Sequence, residues 1–280
     1  MIIWLASYPK SGNTWLRSII SSLIYTDSGI FNFQLLNKIQ QYPSRKFFKD
    51  FTQNFQDIND VSKNWVTSQN QINLDNKVKF LKTHNLNCKI QNNTFTDKSN
   101  SIATIYIVRD PRNLISSISN HFSLNIEDAK KFLMEPKIMF GSKEKKESEN
   151  EIATLIGTWK EHYNFWTKKN SNCLLIKYED LLNNIDNEID KIVFFLRKYL
   201  KFEYSDIKKQ NIINSTKFEN LKKMEKDGLF KEHAFNNINK KKVMFFHKGP
   251  QNLWKNSLNK ELQNEIEKIF KDEMKELKYI

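Results

Sequence analysis

The sequence predicts an α/β fold built around a mainly parallel β-sheet. Short apolar runs alternate along the chain with helical stretches, and each run ends just before a polar or Gly/Pro-containing loop. This order is typical of a parallel sheet flanked by helices. A length of 280 residues suffices for a sizeable core. Because the sequence contains neither an internal repeat nor a proline-rich linker, we expect a single domain over residues 1–280.

The individual elements follow from this alternation. The apolar runs predict strands at residues 2–7, 78–82, 102–108 and 173–177. Helices are predicted at residues 14–25, 112–120, 151–168 and 186–199, with a last one near 260–276. The dense Lys/Glu/Ser run at 140–150 predicts an exposed loop. The polar, basic stretch 222–242 predicts a mobile segment, since it lacks apolar periodicity.

Composition excludes several classes of protein. No apolar run approaches the roughly 18–20 residues that a membrane span needs. The apolar residues 2–6 follow Met1 directly, without the basic region that opens a secretory signal. The two cysteines, Cys88 and Cys173, are too few for a disulfide framework. We therefore expect a protein of the reducing cytoplasm.

The net charge of +13 does not by itself identify a partner. Arginine occurs at only five positions, so that 40 of the 45 basic residues are lysine, and asparagine and isoleucine are abundant, as in proteins from AT-rich genomes. Basic runs such as residues 240–242 lack the interleaved aromatics of a nucleic-acid-binding module. An anionic small molecule explains the charge equally well.

The loop between the first strand and the first helix predicts an anion site. Residues 8–15 read YPKSGNTW, and a turn that enters a helix at the carboxyl end of a strand exposes backbone N–H groups to an anion. Gly12 permits close backbone approach, Ser11, Asn13 and Thr14 add donors, and Lys10 adds a full positive charge. An ordinary strand–helix turn with a surface lysine remains the alternative. The sequence has neither GxxxxGK[ST] nor GxGxxG.

Residues 7–15 resemble the 5′-phosphosulfate loop of the sulfotransferases that use 3′-phosphoadenosine 5′-phosphosulfate (PAPS). Further elements similar to motifs of that family follow in the family's order, up to residue 256. Lys82–Thr83–His84 is similar to the KxH of the cytosolic-type branch, and residues 105–112 with Ser117 are similar to the 3′-phosphate site. Gly157–Thr158–Trp159 and residues 178–181 match two further stretches of the family. Thr216 with Phe218 is similar to a T-x-F adenine contact, and His247–Lys248–Gly249 followed by residues 254–256 is similar to RKGxxGxWKN.

The resemblance implies a nucleotide-kinase-like (P-loop NTPase-like) architecture, with PAPS as sulfuryl donor, the 3′,5′-bisphosphate PAP as product and no metal. Lys10 and His84 are implied to be catalytic. The residues implied to bind the donor are Lys10, Ser11, Gly12, Asn13, Thr14, Trp15, Arg109, Ser117, Tyr178, Thr216, Phe218, His247, Lys248 and Gly249. Without the resemblance, Trp15, Tyr178 and Phe218 would be interpreted as core aromatics.

The chemistry of sulfuryl transfer suits these residue types. The leaving phosphate gains charge in the transition state, so a cation such as Lys10 is useful beside it. A hydroxyl acceptor must lose a proton, and a histidine such as His84 titrates in the range of a general base. Arg109 suits bidentate phosphate binding, whereas Arg112 could equally form local contacts. Lys82 would touch the sulfonate or remain solvated.

Three positions depart from the C-terminal signature. His247 replaces its arginine, Asn252 its second glycine, and Leu253 the acidic residue before its tryptophan. One phosphate contact is therefore expected to be weaker at neutral pH and to strengthen below about pH 6.5, where a histidine becomes charged. The dimer motif K-x3-T-V-x3-E does not match after Lys255, so the oligomeric state stays open.

The sequence thus predicts a PAPS-dependent sulfotransferase (EC 2.8.2.-) that acts in line on a small alcohol, phenol or amine. Residues 121–150 and 222–246, including Phe245 and Phe246, are expected to line the acceptor pocket. The alternatives are a kinase-like phosphotransferase and a non-catalytic nucleotide-binding protein. No metal site is predicted, because the five histidines show no ligand spacing.

Overall fold

A five-stranded parallel sheet forms the centre of the molecule; the sequence predicts a mainly parallel sheet and four of these strands, but not the short strand at Gln40–Gln41. The computed structural model describes residues 1–139, 152–168, 172–232, 234–235 and 242–280. The strands in these ranges are β1 (Ile2–Ala6), β2 (Gln40–Gln41), β3 (Lys79–Thr83), β4 (Lys89–Ile90), β5 (Asn93–Thr94), β6 (Ser101–Val108), β7 (Ile138–Met139), β8 (Thr154–Leu155), β9 (Cys173–Lys177), β10 (Ala234–Phe235) and β11 (Lys242–Val243). The main sheet has the order β2-β3-β1-β6-β9, and the other strands form three two-stranded hairpins.

Helices cover both faces of the sheet. The α-helices are α1 (Asn13–Tyr25), α2 (Ile58–Lys63), α3 (Trp65–Ile72), α4 (Pro111–Phe122), α5 (Ile126–Met134), α6 (Trp159–Thr167), α7 (Tyr178–Asn183), α8 (Ile185–Leu196), α9 (Asp206–Ser215), α10 (Phe218–Lys226), α11 (Lys260–Ile269) and α12 (Lys271–Glu276). Short 3-10 helices lie at Phe33–Lys38, Arg45–Phe47, Gly249–Gln251 and Trp254–Asn256. None of the helices in the described ranges has both the length and the apolar character that a bilayer crossing requires.

Alternate side chains along β1 pack into two hydrophobic clusters, one on each face of the sheet. Ile2, Trp4 and Ala6 belong to the cluster on one face of the sheet, and Ile3 and Leu5 to the cluster on the other. All five residues are fully buried, because a parallel strand in the middle of a sheet is covered by helices on both faces. The continuous apolar run that predicts the strand follows from this double burial.

Three of the predicted elements differ from the structure. The predicted helix 151–168 begins only at Trp159, since Gly157 has a φ of +68° and Thr158 forms a capping box with Glu161. The predicted helix 260–276 is interrupted at Phe270, which is buried between α11 and α12. The stretch 222–242 is not uniformly irregular, because its first residues belong to α10. The loop predicted at 140–150 lies outside the described residues.

The parallel sheet brings together the three loops that follow β1, β3 and β6, at the edge formed by the carboxyl ends of the strands. β1 pairs in parallel with β3 and β6, and its last residue, Ala6, lies opposite Thr83 on one side and Tyr106 on the other. The chain after β1 therefore leaves the sheet beside the residues that follow β3 and β6. His84, which directly follows β3, therefore lies beside the loop that follows β1.

Candidate functional site

A cavity of about 880 Å³ opens at this edge of the sheet. It is lined by thirteen of the residues that the sequence predicts for the site, namely Lys10, Gly12, Asn13, Thr14, Trp15, His84, Arg109, Ser117, Tyr178, Phe218, His247, Lys248 and Gly249. Ser11 and Thr216 do not line it. The side chain of Ser11 is fully buried, and the Thr216 hydroxyl donates to the Ile212 carbonyl (2.7 Å) at the end of α9.

The loop between β1 and α1 forms a tight cradle at the floor of the cavity. Lys10 and Gly12 both have positive φ, 68° and 105°, and α1 begins directly after Gly12. A Cβ at Gly12 would lie only 2.6 Å from Cδ2 of Tyr178, so that position requires glycine. The Asn13 amide donates to the Leu5 carbonyl (3.0 Å) and the Ser7 hydroxyl (3.1 Å). Backbone N–H groups at this helix start suit an anion.

Lys10 lies under an aromatic ring of the C-terminal part of the chain. Its Nζ is 3.6 Å from the centroid of the Phe245 ring, within cation–π distance. Burial, together with the neighbouring cations Lys82 and Arg109, lowers the pKa of Lys10 to about 7. Glu225 raises the pKa and offsets these effects only in part, so an anion placed beside Lys10 would increase its proton affinity.

His84 is oriented by the loop that carries Lys10. Its Nδ1 lies 2.8 Å from the Ser7 carbonyl oxygen and 3.2 Å from the Ser7 hydroxyl. A carbonyl only accepts, so Nδ1 carries the proton and Nε2 holds the lone pair. Burial lowers the pKa of His84 well below its usual range, and Lys82 adds to this effect. The ring is therefore neutral at physiological pH.

Arg109 extends from the end of β6 across the cavity. Its guanidinium stacks over the Tyr178 ring at 4.1 Å, and Nη1 is 3.5 Å from the Lys10 carbonyl. Its Nε is buried without a hydrogen-bond partner among the described residues. Arg112, by contrast, pairs with Asp110, two residues before it, and with the distant Glu267, so of the two possibilities left open for Arg112 the structure shows the local contact.

Aromatic side chains form one wall. The Trp15 and Tyr178 rings meet edge to face at 5.6 Å, and the buried Trp15 indole nitrogen has no partner in the part of the chain that the structure describes. A Cβ added to Gly249 would lie 2.4 Å from the Phe218 ring. The C-terminal glycine therefore permits the close approach of its loop to Phe218.

An ion-pair network in the cavity was missed by the sequence analysis. Arg17 is buried, with 3% side-chain exposure, and its Nη1 donates to both carboxylate oxygens of Glu232 at 2.9 and 2.8 Å. Lys82 Nζ is 3.8 Å from the same carboxylate. Burial alone would raise the pKa of Glu232, but Lys82 and Arg17 lower it to about 2. Burial lowers the pKa of Lys82 to about 8. Arginine occurs at only five positions of the chain, and this scarcity is the signal that could have identified Arg17.

Buried polar groups hold the C-terminal segment against the site. The carboxylate of Glu225 accepts the backbone N–H groups of Phe245 (2.7 Å) and Phe246 (2.9 Å), and both rings line the cavity, as expected. Asn252, the residue in place of glycine, donates to the Asn113 carbonyl (2.8 Å) and accepts from the Ser116 hydroxyl. This departure from the signature therefore fixes the segment to α4.

The two segments that the sequence predicts for an acceptor pocket both reach the cavity. Their residues in its lining are His121, Phe122, Met139, Lys231, Glu232, Phe245 and Phe246. Residues 140–150, 233 and 236–241 of these segments lie outside the described residues. Among the described side chains, no group of three or more His, Cys, Asp or Glu is placed to hold a metal ion.

The chain matches a family model of sulfotransferases and two curated sulfotransferases. The model of the family described as "Sulfotransferase domain" matches residues 2–278. Human sulfotransferase 1E1 is 25% identical, over 97% of this chain and 83% of its own length. Rabbit (Oryctolagus cuniculus) amine sulfotransferase is 26% identical, over 99% and 83%.

Solved structures share the fold. Mouse sulfotransferase SULT7A1 complexed with PAP has a TM-score of 0.59 at 20% identity, covering 98% of this chain and 84% of that one. Retinol dehydratase in complex with androsterone and PAP has a TM-score of 0.60 at 18% identity, covering 98% and 80%.

Proposed function

Since the chain belongs to the sulfotransferase domain family, we propose that it transfers the sulfuryl group of PAPS to a hydroxyl or amine of a small molecule and releases PAP. The observation that carries this proposal is the meeting of Lys10, His84 and Arg109 around one cavity at the carboxyl edge of the sheet. The PAP complexes of two structural neighbours also support it.

The residues of the cavity fit the donor. The glycine cradle of residues 10–12 offers backbone N–H groups and the start of α1 to a 5′-phosphosulfate. Arg109 Nε is buried and has no partner within the described ranges, so it suits the 3′-phosphate, and Ser117 and Lys248 line the same cavity. The Trp15 indole nitrogen, likewise without a partner there, and the rings of Tyr178 and Phe218 suit a purine.

Lys10 would stabilise the leaving group. PAPS supplies a sulfuryl group bonded to a phosphate oxygen, and that oxygen gains negative charge as the S–O bond breaks. A buried cation is worth more than a solvated one at such a position, because the surrounding medium screens it less. Burial and cationic neighbours lower the pKa of Lys10, and Glu225 offsets them only in part, so the negative charge of a bound donor should return Lys10 to the charged form.

His84 would accept the proton of the acceptor. With Nδ1 donating to the Ser7 carbonyl, Nε2 takes the proton as the acceptor oxygen forms its bond to sulfur. The apolar rings of Phe122 and Phe245 and the side chains of Met139 and Ile156 line the same cavity, which suits an acceptor with an apolar body. The KxH arrangement favours small molecules over carbohydrates.

Thermal unfolding with PAP, ATP and AMP at equal concentration tests the donor assignment. At about 100 times its dissociation constant, PAP should add roughly 2.7 kcal/mol to the free energy of unfolding, a rise in Tm of about 5–10 °C. ATP and AMP should give much less, since neither carries a 3′-phosphate for Arg109. Arg109→Ala should remove most of the difference between PAP and AMP. A shift with ATP alone would instead favour the kinase-like alternative.

His247 should make PAP affinity depend on pH. His247 is largely exposed. The part of its side chain that is buried and the nearby cations Lys248 and Lys222 lower its pKa below the usual value. Protonation adds positive charge, so affinity should rise as the pH falls below about 6.5. Lys10 and Lys82 also gain charge as the pH falls, and the ligand phosphate titrates near pH 6. The relevant measurement is therefore the ratio of PAP dissociation constants of wild type and His247→Arg, which should approach 1 on acidification. A ratio constant from about pH 5 to 8 would contradict this role.

A further inference from the structure

Helix α6 holds the backbone of the loop that carries His84. Two of its side chains, one turn apart, donate to consecutive carbonyls of that loop: His162 Nε2 lies 3.1 Å from the His84 oxygen, and Trp166 Nε1 lies 2.9 Å from the Asn85 oxygen. Both side chains are fully buried. Neither residue lines the cavity. Their donated hydrogen bonds reach the site through this loop, and the His162 ring also meets the Tyr8 ring edge to face at 5.7 Å.

The His84 carbonyl and a tyrosine together fix the tautomer of His162. The Tyr106 hydroxyl lies 2.9 Å from Nδ1 of His162, and burial raises the pKa of Tyr106 well above its usual range, so the phenol keeps its proton. Burial also lowers the pKa of His162 to about 3, which leaves one proton on the ring. Because the His84 carbonyl only accepts, that proton is on Nε2, and Nδ1 accepts from Tyr106.

His84 is therefore anchored at two points. Its imidazole is held by the Ser7 carbonyl at 2.8 Å, and its carbonyl is held by His162. Asn85 has additional anchors, because its backbone N–H donates to the Thr83 hydroxyl (3.0 Å) and its side-chain oxygen accepts from Leu155 N–H (2.9 Å). Loss of the Trp166 bond should therefore disturb the loop less than loss of the His162 bond.

We infer that His162, with its tautomer set by the His84 carbonyl and Tyr106, is a positioning residue for His84. This inference rests on the proposed function, in which His84 Nε2 must face the acceptor. A displacement of about 1 Å at a reacting group can cost on the order of 100-fold in rate. Without a donor at position 162, the loop shifts and the His84 ring loses its fixed orientation.

Kinetics of three variants test this role. His162→Phe removes the donor and should lower kcat by about 10- to 100-fold, with the PAP dissociation constant changed by less than about threefold. His162→Gln should retain kcat within about threefold, because an amide nitrogen can replace Nε2 as the donor. The matched control is Trp166→Phe, which removes the neighbouring donor to the same loop and should also retain kcat. Equal losses in all three variants, or a parallel loss of PAP affinity, would overturn the inference and leave a merely structural role.

A spectroscopic measurement separates this inference from the proposed function. The chain has only five histidines, so a ¹⁵N-histidine spectrum is simple, and the signals missing in His84→Asn assign His84. Wild type should show a proton on Nδ1 of His84, and His162→Phe and Tyr106→Phe should show a mixture of tautomers. An unchanged His84 tautomer in both variants would overturn the positioning role. If wild type transfers no sulfuryl group although the tautomers change as expected, the proposed function fails and the positioning of His84 stands.

Discussion

Replacing Lys10 by methionine is expected to lower kcat for sulfuryl transfer by about 10²- to 10³-fold, the usual loss for one group that stabilises a developing oxyanion. Methionine keeps the length and apolar stem of the side chain beside Phe245, whose ring lies 3.6 Å from the lysine Nζ. The missing charge is then the main change. The measurement is PAP release with a panel of small phenols, alcohols and amines at saturating PAPS.

Lys231→Met is the matched control. Lys231 also lines the cavity but is exposed, so its removal lowers the overall charge by the same amount while solvent screens the effect. We expect kcat to change by less than about threefold in this variant. Equal losses in both variants would mean that general positive charge, and not a contact at the leaving oxygen, supports the reaction.

The pH dependence provides a second check on Lys10. Its pKa of about 7 in the ligand-free protein means that the charged form is present below that pH and is lost as the pH rises through it. Since kcat/KM for PAPS reports groups of the free enzyme, it should fall above about pH 7, with Lys82 contributing nearer pH 8. Lys10→Arg should move this alkaline limb to higher pH, because a guanidinium stays charged. A limb that stays in place would assign it to another group.

Replacing His84 by asparagine is expected to lower kcat by about 10²- to 10⁴-fold, the range for loss of a general base. The amide nitrogen of the introduced asparagine can still donate to the Ser7 carbonyl, which is 2.8 Å from Nδ1 in the wild type, so the loop should keep its conformation. PAP affinity should change little, because the base acts on the acceptor. Steady-state kinetics and PAP titration of the same preparation measure both quantities.

His121→Asn is the control for this variant. His121 lines the same cavity, but its ring packs edge to face against Phe122 and Phe245, and no catalytic role is assigned to it. Its kcat loss should be at least tenfold smaller than that of His84→Asn. Comparable losses in the two histidine variants, or a loss of PAP affinity in His84→Asn equal to its loss of kcat, would contradict the assignment of His84 as base.

The parallel strands could be predicted closely from the sequence. The strand Cys173–Lys177 has the predicted bounds, and the other three long strands differ from prediction by one residue at one or both ends. Burial on both faces makes these strands continuous apolar runs, which are easy to identify. Helix ends were harder to predict, because the start of α6 depends on a glycine of positive φ and a capping box.

The sequence by itself determined the fold class and the motif residues that follow the ends of β1, β3 and β6, since local spacing and residue type encode both. Only the tertiary structure decided which groups hold those residues in place. Arg17 and Glu232 are 215 positions apart, His84 and His162 78 positions, and Glu225 lies 20 positions before Phe245. Such pairs form because a buried charge, carbonyl or N–H must find a partner wherever packing provides one. That requirement leaves no periodicity in the sequence, and it is satisfied only when the sheet and its helices have assembled.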